Sequence, residues 1–165
     1  AAPTYASVVR WTNTELSARE ERGANIVISG LPESNADERE QRLAEDKPAA
    51  LAALKHANDE LKEEDVSGIY RTGKKIDGHS RLAIVKIKNA EVRSRTLTRA
   101  RQRQTLIPGG MKVRPDLTKT ERAEEDTFFK KLADAKAANP NAVFRVLGPP
   151  GSRRFIKERS PAEKL

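Results

Sequence analysis

Residues 68–88 read GIYRTGKKIDGHSRLAIVKIK. Two strand-like runs, 68–75 and 81–88, stand on either side of Ile76-Asp77-Gly78, and an Asp-Gly pair between such runs predicts a hairpin. In the second run Ala83, Val85 and Ile87 fall on one face, with Leu82, Ile84, Lys86 and Lys88 on the other. Side chains alternate across a strand, so the first set faces a core and the lysines face away from it.

The hairpin has a neighbour on each side. Upstream, residues 25–30 (NIVISG) read as a β-branched strand closed by Gly30-Leu31-Pro32, with Ile26 and Ile28 on one face and Val27 and Ser29 on the other. A helix follows, its start marked by Asn35 three residues before Glu38. Leu51, Leu54 and Leu61 lie on one helical face, and Pro48 is expected to kink or restart it. Downstream, Val92, Leu97 and Ala100 predict a second helix carrying Arg93, Arg95, Arg99, Arg101 and Arg103. Gly109-Gly110 then turns the chain into a strand at 111–114, where Met111 and Val113 oppose Lys112 and Arg114. The order β-α-β-β-α-β is the split βαβ plan of an α+β, ferredoxin-like domain with two helices on a four-stranded sheet, expected over 22–116, with strands at 25–30, 67–75, 81–88 and 111–114.

Residues 1–21 show no clear period and read as a linker or the end of an upstream helix. The chain begins at Ala1 rather than methionine, so a piece of a longer protein is expected. At the other end, 117–165 is expected to form a small domain of one helix and a hairpin. Thr118 and Glu121 make a capping box for a helix at about 118–138, with Phe128, Leu132 and Ala135 as its apolar stripe. Two short strands within 142–157 flank Gly148-Pro149-Pro150-Gly151.

Charge is distributed unevenly. Residues 67–115 hold thirteen Lys or Arg and two acids, Asp77 and Glu91, whereas residues 1–66 hold eight basic and fourteen acidic side chains. A basic block on folded strands beside an acidic flank points to a polyanionic partner, nucleic acid first. The chain is lean in apolar residues, 36% hydrophobic and 4% aromatic against 34% charged, which predicts a modest core. With no cysteine among its 165 residues, disulfides, thiol catalysis and cysteine-based zinc sites are excluded. His56 and His79 have no metal-ligand spacing, and no cofactor or metal is expected. No apolar run reaches the eighteen or so residues of a membrane span. Phosphate-binding loops and nucleophile elbows are absent from the sequence, so the expectation is a protein that is not an enzyme.

The first strand and 80–87 resemble the two signature blocks of the RNA recognition motif, with Val27, Leu82, Ile84 and Ile87 where that family carries aromatics. Three further blocks, RGANIVISGLPES (22–34), IYRTGK (69–74) and VRPDLTKTER (113–122), resemble in their order the nucleic-acid-binding region of first-open-reading-frame proteins of LINE-type non-LTR retrotransposons. There an atypical RNA recognition motif precedes a small C-terminal domain. The resemblance implies single-stranded RNA (or DNA) binding with nucleic-acid chaperone activity in a cytoplasmic, or else nuclear, ribonucleoprotein serving transposition. It also implies self-association through an upstream coiled coil that this chain lacks. Two other readings stay open: a host RNA-binding protein derived from a retroelement, and an RNA-recognition-like module that binds protein.

The candidate nucleic-acid-binding residues are Arg71, Lys74 and Lys75 at a strand end and its loop, Arg81, Lys86, Lys88, Lys112 and Arg114 on the strands, and Arg153 and Arg154 on the terminal hairpin. Arg22 and Arg145 join them by the resemblance, Arg22 at the entry to the first strand and Arg145 with Pro149 in a family segment. Gly148 stands where that segment carries a tyrosine, and Glu125 and Asp126 stand where the family helix is basic. Tyr70 reads either as a base-stacking residue or as half-buried packing, and the arginines of the second helix either as contacts or as a solvated face.

Overall fold

The computed structural model describes residues 1–158. It is an α+β chain in two units, Ser17–Asp116 and a second built from residues 1–16 and those from 117 onward. The last seven residues of the expected C-terminal domain, 159–165, lie outside the described residues.

In the Ser17–Asp116 unit the four strands are β1 (Asn25–Ser29), β2 (Val66–Thr72), β3 (Leu82–Ile87) and β4 (Lys112–Pro115). They form one antiparallel sheet in the order β2-β3-β1-β4. The hairpin of 68–88 forms as its alternation requires. Ala83, Val85 and Ile87 are buried, and the β2–β3 ladder runs to the Thr72–Leu82 pair, beyond which Asp77-Gly78 sits inside an Ile76–His79 turn. Gly78 adopts φ 79°, a left-handed conformation that glycine enters without steric cost. Ser67 is the extra residue of a bulge between Val66 and Gly68.

Helices α2 (Arg39–Ala57) and α3 (Ala90–Gln102) pack on the Ile26/Ile28/Val85 side of the sheet and close the core. We number the N-terminal helix α1 (Tyr5–Arg22). The buried stripe of α2 is Ala50, Ala53, Leu54 and Ala57, the i, i+3, i+4, i+7 face. Small side chains there let the helix lie close to the sheet. Leu51, expected on that face, is half-buried, and Leu61 lies beyond the helix end. The Asn35–Glu38 start is replaced by an N-cap at Glu38 with no side-chain cap. The Arg42 guanidinium instead donates to the Ala36 and Asp37 carbonyls, ordering the approach to the helix. Pro48 does not restart α2, which runs on through it. The loss is one backbone hydrogen bond, and the buried contacts of Asp46 and Ala50 hold the turns on both sides. At the start of α3, Asn89 accepts from the Glu91 and Val92 amides at 2.8 and 3.3 Å. The two helices are tied by buried Asn58, which donates to Thr96 Oγ1 at 3.0 Å.

In the second unit, α4 (Lys119–Ala138) starts at the Thr118–Glu121 capping box, whose two bonds measure 3.1 and 2.8 Å. Strands β5 (Val143–Leu147) and β6 (Arg154–Glu158) form the hairpin. Phe155 meets Phe128 of α4 at 5.9 Å and Phe144 at 5.7 Å between ring centroids, both edge-on, a favoured aromatic geometry. Of residues 1–21, expected as a linker or the end of an upstream helix, those from Tyr5 on belong to the single 18-residue helix α1, which ends at Arg22. It buries no residue and exposes Tyr5, Val8, Val9, Trp11 and Leu16.

Candidate nucleic-acid interface

The sheet face turned away from α2 and α3 is ordered in cross-strand rows. The central row is Tyr70, Ile84, Val27 and Arg114, each paired with the next across adjoining strands. On one side of it Gly68, Lys86 and Asn25 form a second row. On the other, Thr72 pairs with Leu82 and Ser29 with Lys112. Lys86, Lys112 and Arg114 are exposed and make no ion pair among the described residues. The acid at the rim, Asp116, is already engaged: its carboxylate accepts from Asn25 Nδ2 at 2.9 Å and pairs with Arg22 at 3.3 Å. Cations on this face therefore keep their charge for an outside partner.

Arg71, expected at a phosphate-facing strand end, is instead turned into the fold. Its side chain and that of Asp46 are each 4% exposed. Arg71 Nε and Nη2 donate to the two Asp46 oxygens at 3.1 and 2.8 Å, and the remaining N–H groups reach the carbonyls of Leu31, Arg81 and Pro32 at 2.8–2.9 Å. All five guanidinium donors are used within the chain. Arg81 is likewise clamped by Glu33, with Nε donating at 2.9 Å and the backbone amide at 3.2 Å. The hydrogen bonds from the Arg81 guanidinium hold the Glu33 carboxyl below the usual carboxylate range, overcoming the opposing effect of burial, and the same contact raises Arg81.

Lys74 and Lys75 occupy the exposed β2–β3 loop, and Lys88 lies exposed just past β3. Arg22 keeps 41% of its side chain exposed beside Asp116. On α3 the arginines mostly turn to the fold: Arg95 pairs with Glu60 and Glu91, Arg99 with Asp59 and Glu60, and Arg93 donates to the Asn25 carbonyl.

In the second unit the hairpin separates three candidates. Arg145, opposite Ile156, and Arg154, opposite Leu147, share one exposed face. Arg153 is held against α4, its Nε 2.9 Å from both Glu125 oxygens and its guanidinium 5.7 Å from the Phe129 ring centroid. Glu125, acidic where the resemblance led one to expect a base, anchors the turn by accepting from the Gly151 amide at 3.0 Å as well. Gly148 is fixed by the same turn: its φ is 90°, and a Cβ there would stand 2.6 Å from the Ser152 carbonyl oxygen.

Sequence reasoning missed the carboxylates Asp46, Glu33 and Glu125 that claim three of the candidate arginines. For Asp46 a signal existed. It precedes Ala50, Ala53 and Ala57 on the buried stripe, and a charge on such a stripe needs a partner. Glu33 and Glu125 carry no comparable mark. Among the described residues no group of three metal-ligating side chains comes together, and no helix is long and apolar enough to cross a membrane. No family model and no curated protein matches the chain.

Proposed function

We propose that the chain binds single-stranded nucleic acid, RNA foremost, through the outer face of its four-stranded sheet. In this reading the domain is an atypical RNA recognition motif of the ferredoxin-like kind, with the annealing and strand-exchange role of a retrotransposon first-open-reading-frame protein. The strand order β2-β3-β1-β4 with a helix after β1 and another after β3 supports that assignment. So does the blocked sequence order at 22–34, 69–74 and 113–122.

The observation that carries the reading is the set Lys86, Lys112 and Arg114, exposed on one face and, among the described residues, without a carboxylate partner. Val27 and Ile84 occupy the middle of that face, so the usual pair of stacking aromatics is lacking and phosphate contacts carry most of the affinity. Binding is then sequence-tolerant and strongly salt-dependent.

The test is binding of labelled single-stranded RNA, single-stranded DNA and duplex across a salt series, with a strand-annealing assay alongside. The expected result is a fall of log affinity against log salt of about 0.7 per phosphate contact on single strands. Binding that ignores salt, or none at low salt, would overturn the proposal in favour of a protein-binding module.

A further inference from the structure

Tyr70 lies at the end of the central row of the outer sheet face, and 41% of it is exposed. Its strand neighbour Ile69 belongs to the helix-side core, so alternation turns Tyr70 to the other side. Beside it Ile84, 4% exposed, and half-buried Val27 continue the row. Leu82, 44% exposed, adds an apolar ledge one row away. The Lys86 ammonium lies 6.0 Å from the ring centroid, at the outer limit of a cation–π contact. Burial raises the phenol above its ordinary pKa, with Asp116 and Glu21 adding to the effect and Arg22 opposing it; a tyrosine is neutral near pH 7 with or without that shift.

We infer that Tyr70 is a nucleobase-stacking position, displaced to β2 from the β1 and β3 sites held here by Val27 and Ile84. The inference rests on the single-strand-binding reading and adds a base contact to it. Charge complementarity selects the occupant. A flat apolar ring next to Lys86, with Arg114 at the far end of the same row and Lys112 beside it, matches a strand that alternates flat bases with phosphates. A base on the ring displaces the Lys86 ammonium toward the adjoining phosphate. The exchange favours the base, because a stack at an exposed ring is worth more than a marginal cation–π contact. A paired base inside a duplex cannot reach the ring, so this contact favours single strands.

The experiment compares a single-stranded DNA with a strand of equal length in which tetrahydrofuran abasic units replace every base, at one salt concentration, with single-stranded RNA in parallel. Wild type is expected to bind the base-bearing strand about ten-fold more tightly than the abasic one, within the range of a single stack. Tyr70→Phe keeps that ratio. Tyr70→Leu, which fills the space without a π face, and Tyr70→Ala bring the base-bearing strand down to the abasic level and leave abasic binding and the salt slope unchanged. Equal losses on both strands would make Tyr70 a scaffold residue, and no loss on either would make it a bystander. Each overturns the stacking position while the phosphate-driven reading stands. Wild type binding neither strand at low salt would overturn both.

Discussion

The Arg71–Asp46 pair offers the sharpest separation of scaffold from interface. Replacing Arg71 with alanine leaves a carboxylate 4% exposed without its cation and strips donors from the Leu31, Pro32 and Arg81 carbonyls. Removing one member of a buried ion pair costs about 3–5 kcal/mol. A unit the size of Ser17–Asp116 has roughly 5–15 kcal/mol of stability to lose, at about 0.05–0.15 kcal/mol per residue. With a urea m-value of about 2 kcal/mol/M, the midpoint falls by roughly 2 M. Arg71→Lys keeps the charge but not the fork that reaches two carboxylate oxygens and three carbonyls, and falls between the two. The double variant Asp46→Leu with Arg71→Met removes both charges together. It recovers much of the stability, because apolar replacement of a buried pair is often close to neutral.

Urea titration of the two single variants and the double, followed by RNA binding of whichever are folded, decides the matter. The brace predicts a folded double variant that binds RNA as wild type does. Arg71→Ala with wild-type stability and RNA binding weakened by ~1 kcal/mol or more would refute the argument and return Arg71 to the interface.

Other outcomes follow from the same geometry. The folded Glu33 carboxyl titrates below its unfolded value, so its contribution to stability is complete above the ordinary glutamate pKa of about 4.3 and is lost as pH falls through the depressed folded value. Glu33→Gln is expected to flatten that acid limb in thermal unfolding measured against pH, and an unchanged limb would refute the clamp. Lys112→Ala with Arg114→Ala is expected to reduce the salt slope of RNA binding by about 1.4, two contacts at ~0.7 each, with the melting temperature unchanged. Arg145→Ala is expected to weaken RNA binding by about 1–2 kcal/mol without loss of stability. Arg153→Ala loses roughly 1–3 kcal/mol of stability, since its guanidinium holds Glu125. Calorimetry and binding on both proteins would expose a reversed assignment.

The β2–β3 hairpin was legible because strand alternation is local. Burial of Ala83, Val85 and Ile87, with Lys86 outside, needs no information from beyond the strand. The Thr118–Glu121 capping box was legible for the same reason. Helix α1 was legible only as one of two readings, a linker or the end of an upstream helix, since it buries nothing and therefore carries no amphipathic period. The face of α2 was misread because alanine, a weak hydrophobic signal, fills most of its buried stripe. The roles of the arginines were hidden by distance along the chain. Asp46 lies 25 residues from Arg71, Glu33 lies 48 from Arg81, and Glu125 lies 28 from Arg153. No local pattern joins such pairs.

Those pairings change what the basic block means. Of the thirteen basic side chains in 67–115, six arginines, 71, 81, 93, 95, 99 and 103, bond within the chain. The acids involved, Glu33, Asp46, Asp59 and Glu60, come largely from the acidic flank. The planar fork of arginine suits it to such bracing, whereas lysine is a hydrated point charge on a flexible stem. Among the described residues the lysines at 74, 75, 86, 88 and 112, with Arg101 and Arg114, have no such partner, and Arg101 lies on α3 rather than on a strand. The acidic flank thus neutralises the helix side and leaves the outer face and its loop charged. About six phosphate contacts correspond to a salt slope near −4, whereas all thirteen cations would give roughly −9. A measured slope near the smaller value would place the strand on the lysine-rich face. A slope near the larger would require the braced arginines to leave their carboxylates, against the geometry of Arg71 and Arg81.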